Sequence, residues 1–181
     1  MKKFEEKTIA EEKIFTGRVI SLYHQKVELP NGNTSTREIV KHPGAVAIIP
    51  ITDEGKIVLV EQYRKALERS LLEIPAGKLE KGEEPLETAK RELEEETGYE
   101  AADWEHLQSF YTSPGFADEY IHIYVAKNLK KLENSAQLDE DEFVELFELT
   151  IEECLEELKK GSIHDAKTCF AIQYLQLLGQ N

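Results

Sequence analysis

The chain has 181 residues, 40% hydrophobic and 32% charged, which suits one sizeable core with at most a small appendage. Its 36 acidic residues outnumber 22 basic ones, for a formal net charge of −14. Phosphate backbones and anionic lipid surfaces repel so acidic a chain, so no nucleic-acid or membrane partner is expected. The absence of an apolar run of membrane-spanning length, or of one after Met1-Lys2-Lys3, predicts a cytoplasmic protein.

The first third of the chain is rich in predicted strands. Two hairpins are expected, Val19–Glu28 with Thr34–Val40 and Ala45–Ile51 with Lys56–Tyr63. Between them, His42-Pro43-Gly44 marks a turn after which the composition becomes more apolar. We therefore predict a small N-terminal β unit at residues 1–42 and a main domain at residues 43–181.

The remaining two thirds alternate between strands and helices. Pro85 suits the first position of a helix and Gly98 suits the residue after its end. Thr150 and Glu153 form a capping box for a second helix, and Asp165 can cap a third. Strands are expected at Trp104–Tyr111, Tyr120–Ala126 and Glu142–Leu149. This interleaving predicts an α/β fold with a mixed sheet and helices on its faces.

One predicted helix carries a cluster of acidic residues. Glu92, Glu95 and Glu96 are spaced i, i+3 and i+4 and therefore share one face. Like charges at this spacing repel, so the cluster opposes helix formation unless a cation is bound. Clustered carboxylate oxygens suit Mg²⁺ or Mn²⁺ rather than zinc. A solvated acidic face is the alternative interpretation of this run taken alone.

The spacing around the cluster is more specific than the cluster itself. Gly77 is followed after five residues by Glu83, and after seven more by Arg91-Glu92-Leu93-Glu94-Glu95-Glu96-Thr97-Gly98. This pattern is the Nudix box, and the chain resembles the Nudix hydrolase family. Tyr99, at the last hydrophobic position of the box, is bulkier than the usual aliphatic residue. The resemblance implies a Nudix-type α/β/α sandwich with a mixed sheet.

Further segments are similar to the ADP-ribose pyrophosphatase branch of that family. They are Glu61-Gln62-Tyr63-Arg64, Glu73-Ile74-Pro75-Ala76-Gly77, Thr112-Ser113-Pro114-Gly115, Asp141-Glu142-Phe143-Val144-Glu145 and Ile163-His164-Asp165-Ala166-Lys167-Thr168. Pro114, fifteen residues after Tyr99, matches the proline that marks members active on ADP-sugars. The resemblance implies Mg²⁺-dependent hydrolysis of ADP-ribose to AMP and ribose 5-phosphate, with attack on the adenosyl phosphorus.

The resemblance also implies a set of metal ligands. Glu92 and Glu96 are expected to be the main ligands, with Glu95 close by and the backbone carbonyl of Ala76 completing the set. About two or three Mg²⁺ or Mn²⁺ ions per site would acidify water and reconcile an acidic chain with an anionic substrate. Glu83 and Arg91 are expected to brace the loop and helix that present the ligands.

A general base is implied on a loop far from the box. Glu142, directly before Phe143-Val144-Glu145, is the best match to that base, and Glu140 is the second. A loop position would let the base move in when substrate and metal ions are bound. An ordinary solvated charge run is the alternative interpretation of this loop.

The substrate-binding residues implied by the resemblance come from several segments. Arg64 is expected to contact phosphate, Arg37 and Glu38 to lie close to the adenosine, and Glu119 to reach the ribose beyond Ser113-Pro114-Gly115. Exposed strand arginines with no ligand are the alternative for Arg37 and Arg64.

Assembly and alternative functions complete the predictions. A single hairpin cannot bury enough apolar surface to be stable alone, and the resembling branch docks its N-terminal unit on a second subunit. We therefore predict a homodimer with shared active sites. Hydrolysis of another nucleoside diphosphate sugar, a non-catalytic Nudix nucleotide-sensing domain and an acidic interaction protein without a ligand stay open as alternatives.

Overall fold

The computed structural model describes residues 3–133 and 143–179 of the chain. The strands are β1 (Lys7–Thr16), β2 (Ser21–Glu28), β3 (Thr34–Lys41), β4 (Ala45–Pro50), β5 (Ile57–Arg64), β6 (Arg69–Glu73), β7 (Ala76–Lys78), β8 (Tyr99–Tyr111), β9 (Tyr120–Lys131) and β10 (Val144–Leu149). The helices are α1 (Pro85–Thr97), α2 (Ile151–Lys160) and α3 (Ala166–Gly179). Within these described ranges no helix has both the length and the apolarity needed to cross a membrane.

The described residues form two compact units. The smaller unit comprises the residues up to Gly44 together with Phe110–Ile121. The larger unit comprises Ala45–Ser109 and the residues from His122 onward. The division into an N-terminal β unit at residues 1–42 and a main domain at residues 43–181 stays a prediction.

The smaller unit contains an antiparallel sheet in the order β1-β2-β3. The expectation of a single hairpin was wrong, because β1 pairs along β2 from Lys7 opposite Glu28 to Thr16 opposite Ser21. Two register shifts, at Ile9 and Ile14, interrupt the alternation of faces along β1. A pattern of period two is the sequence signal for a strand, so these bulges hide β1 from that criterion.

The segment Phe110–Ile121 joins this sheet through backbone contacts to β3. The amide of Val40 donates to the carbonyl of Phe116 at 2.8 Å, and the amide of Asp118 donates to the carbonyl of Val40 at 3.2 Å. A parallel bridge links Val40 to Ala117 between these bonds. The loop that contains Pro114 is therefore held on β3 within the smaller unit.

The larger unit contains strands in the orders β10-β5-β6 and β7-β4-β9-β8. The predicted hairpin of β4 with β5 was wrong beyond its turn, where one antiparallel bridge joins Ile51 to Ile57. The two strands then enter different sheets, since β4 pairs with β7 and β5 pairs with β10 and β6. Every residue of β4 is buried, which is typical of an inner strand covered on both faces.

Helix α1 packs on this second sheet. Ala89 and Leu93 are fully buried against Val46 of β4 and other core residues. As predicted, Pro85 opens the helix, and Gly98 closes it in the left-handed conformation with a φ of 69°. The predicted α/β fold with a mixed sheet is confirmed, and α1 presents its carboxylates beside the start of β7.

Helices α2 and α3 pack on each other. The predicted capping box is present at α2, where the side chains and amides of Thr150 and Glu153 bond reciprocally. Asp165 precedes α3 as expected, and its Oδ1 accepts a bond from the amide of Thr168 at 3.3 Å. The first turn of α3 is thereby fixed next to the end of β6.

Candidate functional site

Arg91 lies at the centre of the acidic cluster on α1. Its Nη1 donates to Glu92 Oε1 at 2.8 Å and to Glu95 Oε2 at 2.7 Å. Its Nε and Nη2 donate to Glu83 at 3.3 and 3.2 Å. Burial lowers the pKa of the Arg91 guanidinium, but hydrogen bonding to Glu83 and the charge of Glu92 outweigh it and raise that pKa. Arg91 therefore ties the loop before α1 to two carboxylates of the helix.

Glu96 is held on the segment that precedes β7. Its side chain is 4% exposed, and its Oε2 accepts a bond from the amide of Ala76 at 3.0 Å. The carbonyl of Pro75 accepts a bond from Ile48 of β4 at 2.8 Å, which fixes the same segment from the sheet side. The carboxylate of Glu96 and the backbone of Ala76 are therefore neighbours, as a shared ligand set requires.

Glu92 lies directly over the backbone of Gly77. A Cβ atom at position 77 would lie 2.0 Å from both Cδ and Oε1 of Glu92, far inside van der Waals contact. Only glycine leaves room for the carboxylate at this position. The glycine that opens the Nudix box therefore has a direct steric role in placing Glu92.

The donor chemistry of these residues fits a divalent cation. Carboxylates of Glu92, Glu95 and Glu96 and the carbonyl of Ala76 are hard oxygen donors, the class that Mg²⁺ and Mn²⁺ prefer. Glu92 and Glu96 are also buried, which is costly for carboxylates without a nearby positive charge. In the part of the chain that is described, no three or more His, Cys, Asp or Glu side chains lie together as a metal site. Arg91 holds Glu92 and Glu95 instead, so the ligand set stays a prediction.

Arg64, at the end of β5, is engaged by a buried carboxylate. Its Nε and Nη2 donate to the two oxygens of Glu73, each at 2.7 Å. Lys167 of α3 also donates to Glu73 and, at 2.9 Å, to Asp165. Sequence reasoning expected Arg64 but missed Glu73 and Lys167 as its partners. The motifs that contain them were noticed, but their separation of 94 residues hides the contact.

Arg37 of the smaller unit is engaged by an acidic residue near the start of the chain. Its Nε and Nη2 donate to Glu6 at 2.9 and 2.5 Å, and its Nη1 donates to Thr36 and Ser35. Hydrogen bonding to Glu6 raises the pKa of Arg37. Glu38 follows on β3 and is exposed. Glu6 was missed because the strand that follows it, β1, was also missed.

Glu119 lies in a polar cluster of the same unit. The hydroxyl of Thr112 donates to Glu119 Oε2, and His42 Nε2 lies 3.7 Å from Glu119 Oε1. The Nδ1 atom of His42 accepts a bond from the amide of Gly44 at 3.1 Å, which fixes the imidazole ring. Sequence reasoning treated His42 only as part of a turn, since nothing in its spacing points to Glu119.

The predicted substrate loop forms a tight turn. The carbonyl of Ser113 accepts bonds from the amides of Phe116 and Ala117 at 3.1 and 2.9 Å. Pro114 and Gly115 are exposed at its tip. The smaller unit thus contains Arg37, Glu38, Glu119 and this turn, and the larger unit contains Arg64 and the α1 carboxylates. Their roles in substrate binding stay predictions.

The two candidates for the general base lie outside the described residues. Glu140 and Glu142 both fall in the segment between residues 133 and 143. Their assignment therefore stays a prediction from the sequence.

Comparison with known proteins relates this site to a family. The NUDIX domain matches residues 41–169. Over 97% of its length the chain is 68% identical to the methanol dehydrogenase activator of Bacillus methanolicus, of which 95% is covered. Over 98% of its length it is 62% identical to the ADP-ribose pyrophosphatase of Bacillus subtilis (strain 168), of which 96% is covered.

More distant similarities agree with this relationship. The GDP-mannose pyrophosphatase of Escherichia coli (strain K12) is 30% identical over 93% of this chain and 94% of its own. A crystal structure of an ADP compounds hydrolase shares the fold with a TM-score of 0.85, at 24% identity over 98% of this chain and 96% of its own. The domain match covers most of the chain and includes α1 with its carboxylates, and the protein therefore belongs to the NUDIX family.

Proposed function

We propose that this protein is a Nudix pyrophosphohydrolase that cleaves ADP-ribose to AMP and ribose 5-phosphate. The observation that carries the proposal is the complete box pattern folded as α1, with Glu92 and Glu96 buried against the segment Ala76-Gly77. The 62% identity, over nearly the whole chain, to a protein named ADP-ribose pyrophosphatase supports the choice of substrate. A pure nucleotide sensor has no need of the full carboxylate set, which makes that alternative weaker.

The reaction we propose depends on divalent cations, Mg²⁺ or Mn²⁺, with two or three per site. Glu92, Glu95 and Glu96 with the carbonyl of Ala76 would hold them, and the bound ions would acidify water and offset the charge of the pyrophosphate. Arg91 holds Glu92 and Glu95 in place from the same helix. Its second role is to keep these carboxylates ionised, because a neighbouring cation lowers the free energy of the charged form.

Substrate binding in this proposal uses cations and polar groups of both units. Arg64 binds a phosphate oxygen with the part of its guanidinium that Glu73 does not occupy. Arg37 and Glu38 contact the adenosine, and Glu119 with the turn Ser113-Pro114-Gly115 contacts the ribose. Arg37 must exchange Glu6 for a ligand group, or keep Glu6 as a support, to take this role.

Product analysis tests the proposed function directly. The purified protein is incubated with ADP-ribose, ADP-glucose or GDP-mannose in the presence of Mg²⁺, and the products are separated by chromatography. We expect AMP and ribose 5-phosphate from ADP-ribose, and no products when a chelator replaces Mg²⁺. Faster cleavage of another nucleoside diphosphate sugar would reassign the substrate, and cleavage of none would contradict the enzyme.

A second candidate function comes from the 68% identity to a protein named methanol dehydrogenase activator. Its test is the activity of a methanol dehydrogenase with and without this protein. The variant Glu96→Gln separates the two candidates, because an activation that needs the hydrolase will be lost with it. A cytoplasmic location also stays a prediction from the sequence, and cell fractionation tests it.

Glu142→Gln is expected to lower kcat strongly with little change in metal affinity, because it removes the proposed base and no metal ligand. Glu140→Gln serves as the matched control and should have a much smaller effect. Steady-state kinetics combined with Mn²⁺ titration measures both quantities. A larger loss in Glu140→Gln would move the base two residues earlier, and full activity in both variants would leave the loop without a catalytic role.

A homodimer with shared active sites is the assembly we propose. Ile9, Ile14 and Phe15 of β1 are exposed large apolar side chains in the chain taken alone, which favours a covered surface. Light scattering is expected to give twice the chain mass of 20.7 kDa, and dilution should yield no active monomer. Deleting residues 1–40 should abolish both dimer and cleavage. A fully active species of single-chain mass would contradict this assembly.

A further inference from the structure

Four charged side chains form a compact cluster where β5, β6 and α3 meet. Glu73, the last residue of β6, is 2% exposed and binds both Arg64 and Lys167. Lys167 binds Asp165 in turn at 2.9 Å. Two cations and two carboxylates therefore neutralise each other, which satisfies the cost of burying Glu73.

The geometry at Arg64 leaves one edge of its guanidinium open. Nε and Nη2 form a parallel pair of bonds to Glu73, an arrangement that fixes the plane of the group. Nη1 makes no hydrogen bond to any residue in the described ranges, and the side chain is 39% exposed. A planar group held on one edge and open on the other can bind an anion at little cost in conformational entropy.

Lys167 completes the support from the opposite side. Burial alone would raise the pKa of Glu73, but Arg64 and Lys167 together lower it, so the carboxylate stays ionised. The backbone around the cluster is also fixed, because Thr168 Oγ1 accepts a bond from the amide of Ile74 at 3.0 Å. The first turn of α3 and the end of β6 thus move as one piece.

We propose that Glu73 and Lys167 are positioning residues, which hold Arg64 so that its open edge binds a phosphate oxygen of the substrate. The inference rests on the proposed function for the identity of that anion. Without Lys167, one arginine would face two carboxylates, and its guanidinium would be drawn into the cluster and its positive field cancelled. The charge of Glu96 on α1 also acts on Arg64, after that of Glu73, which places Arg64 in electrostatic reach of the catalytic carboxylates.

Lys167→Met is the informative variant, because Glu73→Gln would leave the ammonium of Lys167 buried without its main partner. Methionine keeps the unbranched stem, and Arg64 still neutralises Glu73, so the fold should persist. We expect KM for ADP-ribose to rise about tenfold while kcat changes by less than about twofold, the pattern of a lost ground-state contact. Lys167→Arg should restore KM, and Lys159→Met, which removes an exposed ion pair with Glu156, should change neither constant.

An NMR readout separates this inference from the proposed function. The Nε–Hε signal of Arg64, assigned by its loss in Arg64→Lys, is followed while inorganic pyrophosphate is added. We expect the signal to shift in the wild-type protein, to shift at higher concentrations in Lys167→Met, and to recover in Lys167→Arg. If the wild type cleaves no ADP-ribose but this order holds, the proposed function fails and the positioning role stands. Equal pyrophosphate affinities and equal KM values in a folded Lys167→Met variant would overturn the inference.

Discussion

Glu96→Gln is expected to lower kcat for ADP-ribose by several orders of magnitude while the protein stays folded. Glutamine has the same shape, and its carbonyl oxygen can accept the bond from the amide of Ala76 that Glu96 now accepts. The variant lacks the negative charge that a divalent cation needs. Glu92→Gln should behave alike, because its remaining carbonyl oxygen can still accept from Arg91.

The stability of these two variants is part of the same expectation. Removing a negative charge from a cluster of like charges should leave the metal-free protein equally stable or slightly more stable. Thermal unfolding with and without Mg²⁺ checks this point, since the cation should raise the Tm of the wild type but not of the variants. Glu94→Gln, on the same helix but outside the proposed ligand set, is the matched control. Near wild-type turnover in Glu92→Gln or Glu96→Gln would defeat the metal assignment.

Gly77→Ala is expected to reduce activity nearly as severely as Glu92→Gln, although it changes no charged group. The new Cβ would lie 2.0 Å from the end of the Glu92 side chain, which must therefore rotate away. A carboxylate at the end of a flexible side chain moves more easily than the backbone, so the loss in stability should be small. The φ angle of Gly77 is not in the left-handed region, so alanine is compatible with the backbone there.

A double-mutant cycle shows whether Gly77→Ala acts through Glu92. In the Glu92→Gln background the alanine should add little further loss in kcat/KM, because both changes remove the same carboxylate from the site. Gly179→Ala, where an added Cβ meets nothing within 4 Å, is the control for the substitution itself. Fully additive losses would indicate that Gly77 has a separate role in the site.

The elements that the sequence predicts correctly are those with local signals. Helix α1 has Pro85 and Gly98 at its ends, and α2 has a capping box, so short-range chemistry defines both. Strand β1 escapes because two bulges break its alternation. The partners of β4 and β5 could not be predicted, because the choice between sheets depends on segments far away in the chain.

The same distinction applies to the candidate site. The box pattern identifies the carboxylates of α1, since its residues are held at helical spacing by local structure. It does not reveal that Arg37 binds Glu6 or that Lys167 binds Glu73. Such pairs join residues 31 and 94 positions apart, and tertiary packing alone brings them together.

The position of Arg91 has a consequence for how the protein exchanges cations with its surroundings. Its guanidinium occupies oxygens of Glu92 and Glu95 that an incoming ion must win, so it acts as an internal competitor for the site. Competition of this kind weakens apparent affinity and favours rapid release, because the vacated carboxylates are never left bare. The protein can therefore lose its ions without unfolding, and its activity should follow the free cation concentration of its surroundings rather than depend on a permanently bound metal.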